Sequence, residues 1–147
     1  MTREFKKLSH TLYQCKYHIV FCPKYRYDVM QGEVATYIKH ELYRLCTQKE
    51  GVEVLEANVQ ADHVHMVLSI PPKYSVSQLM GFVKGKLALR VLSHYPKLRK
   101  RYWGNHFWSR GYCVSTVGLD EEKIRKYVKW QEGQDKRHEA HQKSLFD

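Results

Sequence analysis

The alternation of apolar and polar residues along this chain predicts four β-strands. Successive side chains of a strand point to opposite faces of the sheet, so a period of two marks a half-buried strand. This period is clear from Tyr13 to Cys22 and from Ala61 to Ile70. The run from Val52 to Gln60 is less regular, and Gly111 to Val117 is recognised by its β-forming residues.

Apolar residues at helical spacing predict three helices between and after these strands. The first carries an apolar stripe from Val34 to Leu45, and the second begins at the capping box Ser75-Val76-Ser77-Gln78 and extends to Val91. Asp120 caps the third, whose stripe contains Ile124, Tyr127, Val128 and Gln131.

The order of these elements is βαββαβ followed by a terminal helix. This order predicts an α+β, ferredoxin-like fold, in which a four-stranded antiparallel sheet carries two helices on one face. The chain is polar and charged from Glu132 onward, so we expect the third helix to fray there. We therefore predict one domain over residues 1–133 and a polar C-terminal tail over residues 134–147.

His63-Val64-His65 lies within the third predicted strand. Because Val64, Met66 and Leu68 alternate with the two histidines, both imidazoles project from the polar face. They are then about 7 Å apart along the strand, at about 3.3 Å per residue. This spacing suits two ligands of one metal ion, although two half-exposed histidines without a ligand give the same pattern.

The excess of basic residues favours a polyanionic partner. The chain has 147 residues, with 25 Lys and Arg against 15 Asp and Glu, and a net charge of +10. Nucleic acid is the first expectation and an anionic membrane surface the second. The stretch from Lys84 to Arg101 has no acidic residue and is followed by aromatic residues, as in grooves that bind unpaired nucleic acid. Lys84, Lys86 and Arg90 are placed on the outer face of the second helix.

Neither a membrane span nor a signal peptide is expected, since no segment is apolar for long enough. The chain has 4 cysteines and no C-x-x-C pair. We therefore expect reduced thiols in a cytoplasmic protein.

Tyr127 and Gln131 are four residues apart, so they are neighbours on one face of the third helix. A phenol is a weak nucleophile until it is activated, and a metal ion beside a phosphate polarises the phosphoryl oxygen. Two imidazoles and the amide oxygen of Gln131 would form an open site that suits Mg²⁺ or Mn²⁺. Other residues compete for these two roles: Tyr74, Tyr102 and Tyr112 as nucleophile, and His18 and Asp62 as third ligand.

Several motifs, taken in order over about residues 13 to 133, carry a resemblance to a known family. The motifs are Tyr17-His18-Ile19-Val20-Phe21, Lys24-Tyr25-Arg26, Asp62-His63-Val64-His65-Met66, Ile70-Pro71-Pro72-Lys73-Tyr74-Ser75, Lys84-Gly85-Lys86, Phe107-Trp108-Ser109-Arg110-Gly111-Tyr112, Val114-Ser115-Thr116-Val117-Gly118, Ile124-Arg125-Lys126-Tyr127-Val128 and Gln131-Glu132. With these motifs the chain resembles the HUH-type, single-tyrosine transposases of bacterial and archaeal insertion sequences that move as single-stranded DNA.

The resemblance implies a role for each matching residue. His63 and His65 match the two histidine ligands of a divalent metal, Gln131 matches the third ligand, and Tyr127 matches the nucleophile. In this family the tyrosine attacks a DNA phosphodiester, forms a 5′-phosphotyrosine and leaves a free 3′-hydroxyl that later rejoins strands.

The resemblance also implies the partners of the chain. We expect single-stranded DNA with imperfect hairpins near the ends of an element, and a homodimer in which the tyrosine helix of one subunit completes the histidine site of the other. Lys16 and Arg110 join Lys84, Lys86 and Arg90 as expected DNA contacts. The chain departs from the family at Leu87-Ala88-Leu89, where small polar residues are common, and this puts the local DNA contacts of that helix in doubt.

Three other functions remain open at this point. A domesticated relative would nick genomic hairpins without moving an element. A non-catalytic module for RNA or single-stranded DNA would stack bases on the open sheet face and would need aromatic residues there. A metal-dependent phosphodiesterase would use water as nucleophile and would tolerate Tyr127→Phe.

Overall fold

The computed structural model describes residues 5–102, 104 and 106–146. Its strands are β1 (Lys6–Leu8), β2 (Thr11–Tyr13), β3 (Lys16–Phe21), β4 (Glu53–Gln60), β5 (His63–Ser69) and β6 (Cys113–Ser115). Its helices are α1 (Gly32–Thr47), α2 (Val76–His94), α3 (Pro96–Arg99) and α4 (Glu121–Phe146), with a 3-10 turn at Lys24–Arg26.

The main sheet has four antiparallel strands in the order β4, β5, β3 and β6. The two central strands, β3 and β5, pair from Lys16 opposite Ser69 to Phe21 opposite Val64. With α1 between β3 and β4, and α2 between β5 and β6, this arrangement confirms the predicted ferredoxin-like fold.

The two faces of the sheet have different environments because alternate residues of each strand point in opposite directions. Ile19 and Phe21 of β3 and Met66 of β5 are fully buried in the main core. The apolar faces of α1 and α2 complete this core, which agrees with the predicted stripes. Their buried residues include Ile38, Leu42 and Leu45 from α1, and Leu79, Val83, Leu87 and Val91 from α2.

The N-terminal region corrects the predicted first strand. Residues 13–22 do not form one strand, because Thr11–Tyr13 pairs with Lys6–Leu8 in a separate two-stranded sheet and only Lys16–Phe21 enters the main sheet. The Lys6 ammonium is 2.7 Å from the carboxylate of Glu53, which ties this hairpin to the start of β4.

The predicted fourth strand is shorter than expected. Only Cys113–Ser115 pairs with β3, at one edge of the sheet. Gly111 has a φ of 77°, a left-handed conformation that ends extended pairing on one side. On the other side the Ser115 hydroxyl accepts a hydrogen bond from the Val117 backbone N–H at 3.1 Å, which forms a local turn in place of a ladder.

The expectation that the last helix frays from Glu132 is wrong, because α4 continues without a break to Phe146. Ion pairs spaced four residues apart, such as Glu121 with Arg125 and Glu122 with Lys126, support its exposed face. The helix crosses the predicted boundary at residue 133, and the division into a domain and a tail stays a prediction. None of the described helices is both long and apolar enough to cross a membrane.

The capping box at the start of α2 allows a test of the fold. The Ser75 hydroxyl accepts a hydrogen bond from the Gln78 backbone N–H at 3.0 Å, and the Gln78 amide oxygen accepts one from the Ser75 backbone N–H at 3.1 Å. We expect Ser75→Ala to lower the free energy of unfolding by about 1 kcal/mol, measured by urea denaturation. Ser93→Ala, at an exposed position near the other end of α2, is the matched control. Equal stability of the two variants would contradict the capping role.

Candidate active site

The two histidines of β5 lie on the sheet face opposite the main core. His65 is opposite Val20 of β3, and His18 lies next along that strand on the same face. The His18 Nδ1 atom is 3.4 Å from His65 Nε2, and the two rings stack with centroids 5.6 Å apart. His18 therefore lies with the two β5 histidines on one face of the sheet, and Lys16 lies farther along the same face, opposite Ser69.

His63 is held by a carboxylate. The Nδ1 atom of His63 is 2.9 Å from Asp62 Oδ1, and the other carboxylate oxygen accepts a 3.0 Å hydrogen bond from Arg26 Nε. Burial by itself would raise the pKa of Asp62, but the hydrogen bonds from His63 and Arg26 outweigh it and the pKa lies below its usual value. The arrangement leaves Nε2 of His63 for a ligand, as in many metal-binding histidines that are oriented by a carboxylate.

The electrostatics of His65 also favour metal binding. Burial, followed by the charge of His18, lowers the pKa of His65. The imidazole is then neutral near pH 7, which is the form that binds a metal ion. Among the described residues, no three His, Cys, Asp or Glu side chains are grouped to hold a metal. A metal held by His63 and His65 would therefore use a ligand of another type, such as the predicted amide oxygen of Gln131.

Helix α4 lies across the face that carries the histidines. Ile124 and Val128 of α4 are buried against Val20, the residue opposite His65. Tyr127 packs at the edge of this small apolar cluster. The sheet pairing and the helix packing thus place the predicted nucleophile and the predicted metal ligands on one side of the sheet.

Tyr127 and Gln131 contact each other, as their spacing predicts. The Tyr127 hydroxyl donates a 3.3 Å hydrogen bond to Gln131 Oε1, and the Gln131 amide N–H donates at 3.4 Å to Asp135 Oδ1. Gln131 is only 4% exposed. Burial, followed by the nearby thiols and Asp135, raises the pKa of Tyr127 above its ordinary value. The phenol is therefore neutral in this conformation and is a poor nucleophile.

Asp135 is the centre of a buried polar network that the sequence analysis missed. Its Oδ2 atom accepts hydrogen bonds from the Ser109 hydroxyl at 2.6 Å and the Tyr25 backbone N–H at 3.0 Å. Lys84 lies beside it and donates to the carbonyls of Ser109 and Gly111, at 2.8 and 2.6 Å. Burial lowers the pKa of Lys84 to about 8. Since Asp135 lies at the next helical position after Tyr127 and Gln131, the four-residue spacing was the signal that could have identified it.

Arg26 connects the helix to the histidine strand. It binds Asp62, and its guanidinium is also 3.7 Å from Glu132 of α4. In the part of the chain that the structure describes, no hydrogen bond joins Tyr127 or Gln131 to His63 or His65. The two halves of the site therefore share a sheet face and an arginine, but no hydrogen bond joins these described residues.

The residues that competed for these roles have different surroundings. Tyr102 is buried at 3% exposure, and Tyr74 and Tyr112 pack against the main core, so none of the three lies on α4 beside Gln131. His18 and Asp62, by contrast, contact His65 and His63 directly. Neither of them, however, forms with His63 and His65 a group of three side chains that could hold a metal in the described part of the chain.

The basic residues of α2 do not form the single outer face that was expected. At about 100° per residue, Lys84 lies on nearly the opposite side of the helix from Lys86. Arg90 pairs at 2.6 Å with Glu41 of α1, whose side chain is buried. Lys84 and Arg90 thus have internal partners, whereas Lys86 and Arg110 are exposed. Contact of these residues and of Lys16 with DNA stays a prediction.

Comparison with known proteins decides the family. The model of the family described as "Transposase IS200 like" matches residues 11–131. The chain belongs to the IS200-like transposase family. This transposase is 47% identical over 131 residues to the transposase for insertion sequence element IS200 of Salmonella typhimurium, covering 89% of this chain and 86% of that protein. It is 37% identical over 129 residues to the ISDra2 transposase TnpA of Deinococcus radiodurans, covering 87% and 91%.

Solved structures share the fold of this IS200-like transposase. The crystal structure of a candidate transposase from Deinococcus radiodurans superposes with a TM-score of 0.76 at 32% identity, covering 86% of this chain and 97% of that chain. A REP-associated tyrosine transposase bound to a REP hairpin gives a TM-score of 0.50 at 12% identity, covering 84% and 67%. At that identity the second match shows the fold alone.

The Asp135 network predicts how α4 is held on the sheet of this transposase. Asp135→Ala would leave the Tyr25 N–H without its acceptor, at about 1–3 kcal/mol for a buried group. As a donor, the Ser109 hydroxyl would keep only its longer hydrogen bond to the Pro23 carbonyl, at 3.3 Å. We expect faster hydrogen exchange along α4 and unchanged protection of α1 and α2, measured by mass spectrometry.

The control for this experiment is Glu122→Ala, which removes an exposed carboxylate of the same helix. It should leave exchange along the middle of α4 close to that of the unmodified protein. If α4 stays equally protected in Asp135→Ala, the network does not hold the helix.

Proposed function

We propose that this chain cleaves and rejoins single-stranded DNA at the ends of an insertion sequence, with Tyr127 as nucleophile. The observation that carries this proposal is the position of α4, which lays Tyr127 and Gln131 over the sheet face that presents His63 and His65. Membership of the family and the names of its IS200 and ISDra2 relatives supply the reaction class.

Cleavage transfers the phosphoryl group of the DNA from the 3′-oxygen to the phenol oxygen of Tyr127. The Tyr127 oxygen attacks phosphorus and loses its proton to solvent, while the bond from phosphorus to the 3′-oxygen breaks and that oxygen takes up a proton. The products are a 5′-phosphotyrosine and a free 3′-hydroxyl. Because the phosphodiester energy is kept in the tyrosine linkage, attack by a 3′-hydroxyl reverses the step and rejoins strands without a nucleotide cofactor.

His63, His65 and the Gln131 amide oxygen would hold a divalent metal, Mg²⁺ or Mn²⁺. When bound, such an ion supplies Lewis-acid polarisation of the phosphate. The side chains fit this role in part: Asp62 leaves Nε2 of His63 available, and His65 is biased to its neutral form. The Gln131 oxygen accepts a hydrogen bond from the Tyr127 phenol, and its second lone pair would be the one that binds a metal.

The DNA partner we propose is single-stranded DNA that carries hairpins, bound by a homodimer with shared sites. The net charge of +10 supports a polyanionic partner, and the REP-associated transposase with the same fold was solved with a hairpin. The absence of a hydrogen bond between the described tyrosine and histidine halves of the site is compatible with a site that a second subunit completes.

The other functions are less well supported. The described sheet face carries His18, Val20 and His65, and the aromatic residues that a base-stacking module needs are not among them. The chain is 47% identical to the IS200 transposase and 12% identical to the REP-associated transposase. This difference favours a mobile-element enzyme over a domesticated hairpin-nicking relative. A water-using phosphodiesterase is separated from the proposal by the next experiment.

Replacement of the nucleophile tests the proposal directly. We expect Tyr127→Phe to form no covalent DNA–protein adduct with labelled single-stranded DNA from the ends of the element, because only the phenol oxygen is removed. Binding of the same DNA should be retained, and denaturing gels report the adduct. Tyr112→Phe is the matched control and should form adduct normally. An adduct in Tyr127→Phe would refute the nucleophile, and cleavage without any adduct would favour the phosphodiesterase.

Replacement of the histidines tests the metal site. We expect His63→Ala and His65→Ala each to lose more than about 100-fold in metal-dependent cleavage, since loss of a direct ligand exceeds the effect of losing a supporting residue. Titration calorimetry with Mn²⁺ should show the same loss without any DNA present. His40→Ala, on the exposed face of α1, is the control. Unchanged Mn²⁺ binding in both histidine variants would place the metal elsewhere.

A further inference from the structure

A cavity of about 250 Å³ lies where α4 passes the turn after β3 and the segment before β6. Its walls include Lys24 from the turn, Arg110 from the segment, and Trp130, Gln131 and Gln134 from α4. The cavity adjoins the tyrosine half of the site, since Gln131 forms part of its wall and binds the Tyr127 phenol. A ligand bound in this cavity would therefore lie close to the Tyr127 phenol.

Trp130 presents an open aromatic surface at this cavity. The side chain is 58% exposed, although a large apolar ring is usually covered. Its ring centroid is 6.1 Å from that of Tyr127, and the two planes are tilted by 34°. An accessible indole is a platform on which any unpaired base can stack, because every base has a π-face.

The charges at the cavity mouth favour an anion. In the described part of the chain neither Lys24 nor Arg110 has an acidic partner, and the Lys24 ammonium lies 5.4 Å from the Tyr25 ring. Asp135 also lines the cavity, but both of its carboxylate oxygens accept hydrogen bonds and Lys84 lies beside it. The cationic side chains thus remain available to a phosphate, while the acidic one is directed into the protein.

We propose that this cavity binds one unpaired nucleotide of single-stranded DNA, with its base stacked on Trp130 and its phosphate between Lys24 and Arg110. The inference rests on the proposed function, since it takes single-stranded DNA as the substrate. Because Trp130 follows Tyr127 by less than one helical turn, the nucleotide held there is a neighbour of the phosphodiester that Tyr127 attacks. The Gln134 amide, also in the cavity wall, offers a donor and an acceptor to the edge of the base.

Two labelled DNA strands distinguish the contribution of base stacking to binding from the contribution of phosphate charge. One is oligothymidylate of about twelve nucleotides, within the site size of single-strand binding proteins, and the other is an abasic strand with the same number of phosphates. We expect Trp130→Ala to weaken binding of oligothymidylate by about 5- to 150-fold, as measured by fluorescence anisotropy. Binding of the abasic strand should not change, and Trp130→Phe should restore most of the affinity.

The cationic residues should behave differently from Trp130. We expect Lys24→Gln and Arg110→Gln to weaken binding of both strands. Each variant should also flatten the plot of the logarithm of the binding constant against the logarithm of the salt concentration. We expect its slope to fall by about one unit for every phosphate that the variant no longer neutralises. Lys129→Gln, beside Trp130 on α4 and outside the cavity, is the matched charge control. Tyr43→Ala, an aromatic residue of α1 with 38% exposure, is the matched aromatic control.

Three results would overturn the inference. The first is unchanged affinity of Trp130→Ala for oligothymidylate, and the second is no binding of this strand by the unmodified protein. The third is an equal loss of affinity for both strands together with a smaller mass in light scattering, which would make Trp130 a contact between copies of the chain. Failure of this inference can be distinguished from failure of the proposed function. The proposed function requires a Tyr127 adduct with DNA from the element's ends, whereas these binding measurements require no cleavage.

Discussion

The pairing of β3 with β5 is the interaction on which the rest of the structure depends. Its register places Ile19 and Met66 on the face that α1 and α2 cover, and Val20 and His65 on the other. A slip of one residue would send the histidines into the apolar core and the core residues outward. The packing of the main core therefore fixes the geometry of the histidine face, although His63 and His65 lie on the opposite side of the sheet from that core.

Helix α4 is held by a different balance of forces. Its buried apolar contact consists of Ile124 and Val128 against Val20, which amounts to about 3 to 6 kcal/mol for the two helix side chains. The position of α4 along its own axis depends on the directional hydrogen bonds of Asp135, because a small apolar contact alone would allow the helix to slide over the sheet. Helix α4 is thus placed accurately but with less hydrophobic stabilisation than α1 or α2.

The sequence predicted the elements whose signals are local, such as the alternation of β5 and the capping box of α2. It missed the break between β2 and β3, because Tyr13 continues the alternation while its strand pairs elsewhere. Lys84 was assigned to solvent because a lysine in a helix is usually exposed, and only the tertiary structure brings two backbone carbonyls to its ammonium. The four-residue spacing does place Asp135 on the helix face of Tyr127 and Gln131, but its burial depends on Ser109 and Tyr25, which are distant in sequence.

The docking of α4 also has a chemical consequence. Burial keeps the Tyr127 phenol neutral, and its proton is donated to the oxygen of Gln131 that is expected to bind the metal. One contact therefore joins the proposed nucleophile to the proposed third ligand in this conformation. In the proposed mechanism, a cation bound by the Gln131 oxygen would withdraw electron density from that oxygen, weaken the hydrogen bond and favour the phenolate. This coupling would follow from the four-residue spacing on one helix, and it would link the proposed strand cleavage to metal binding.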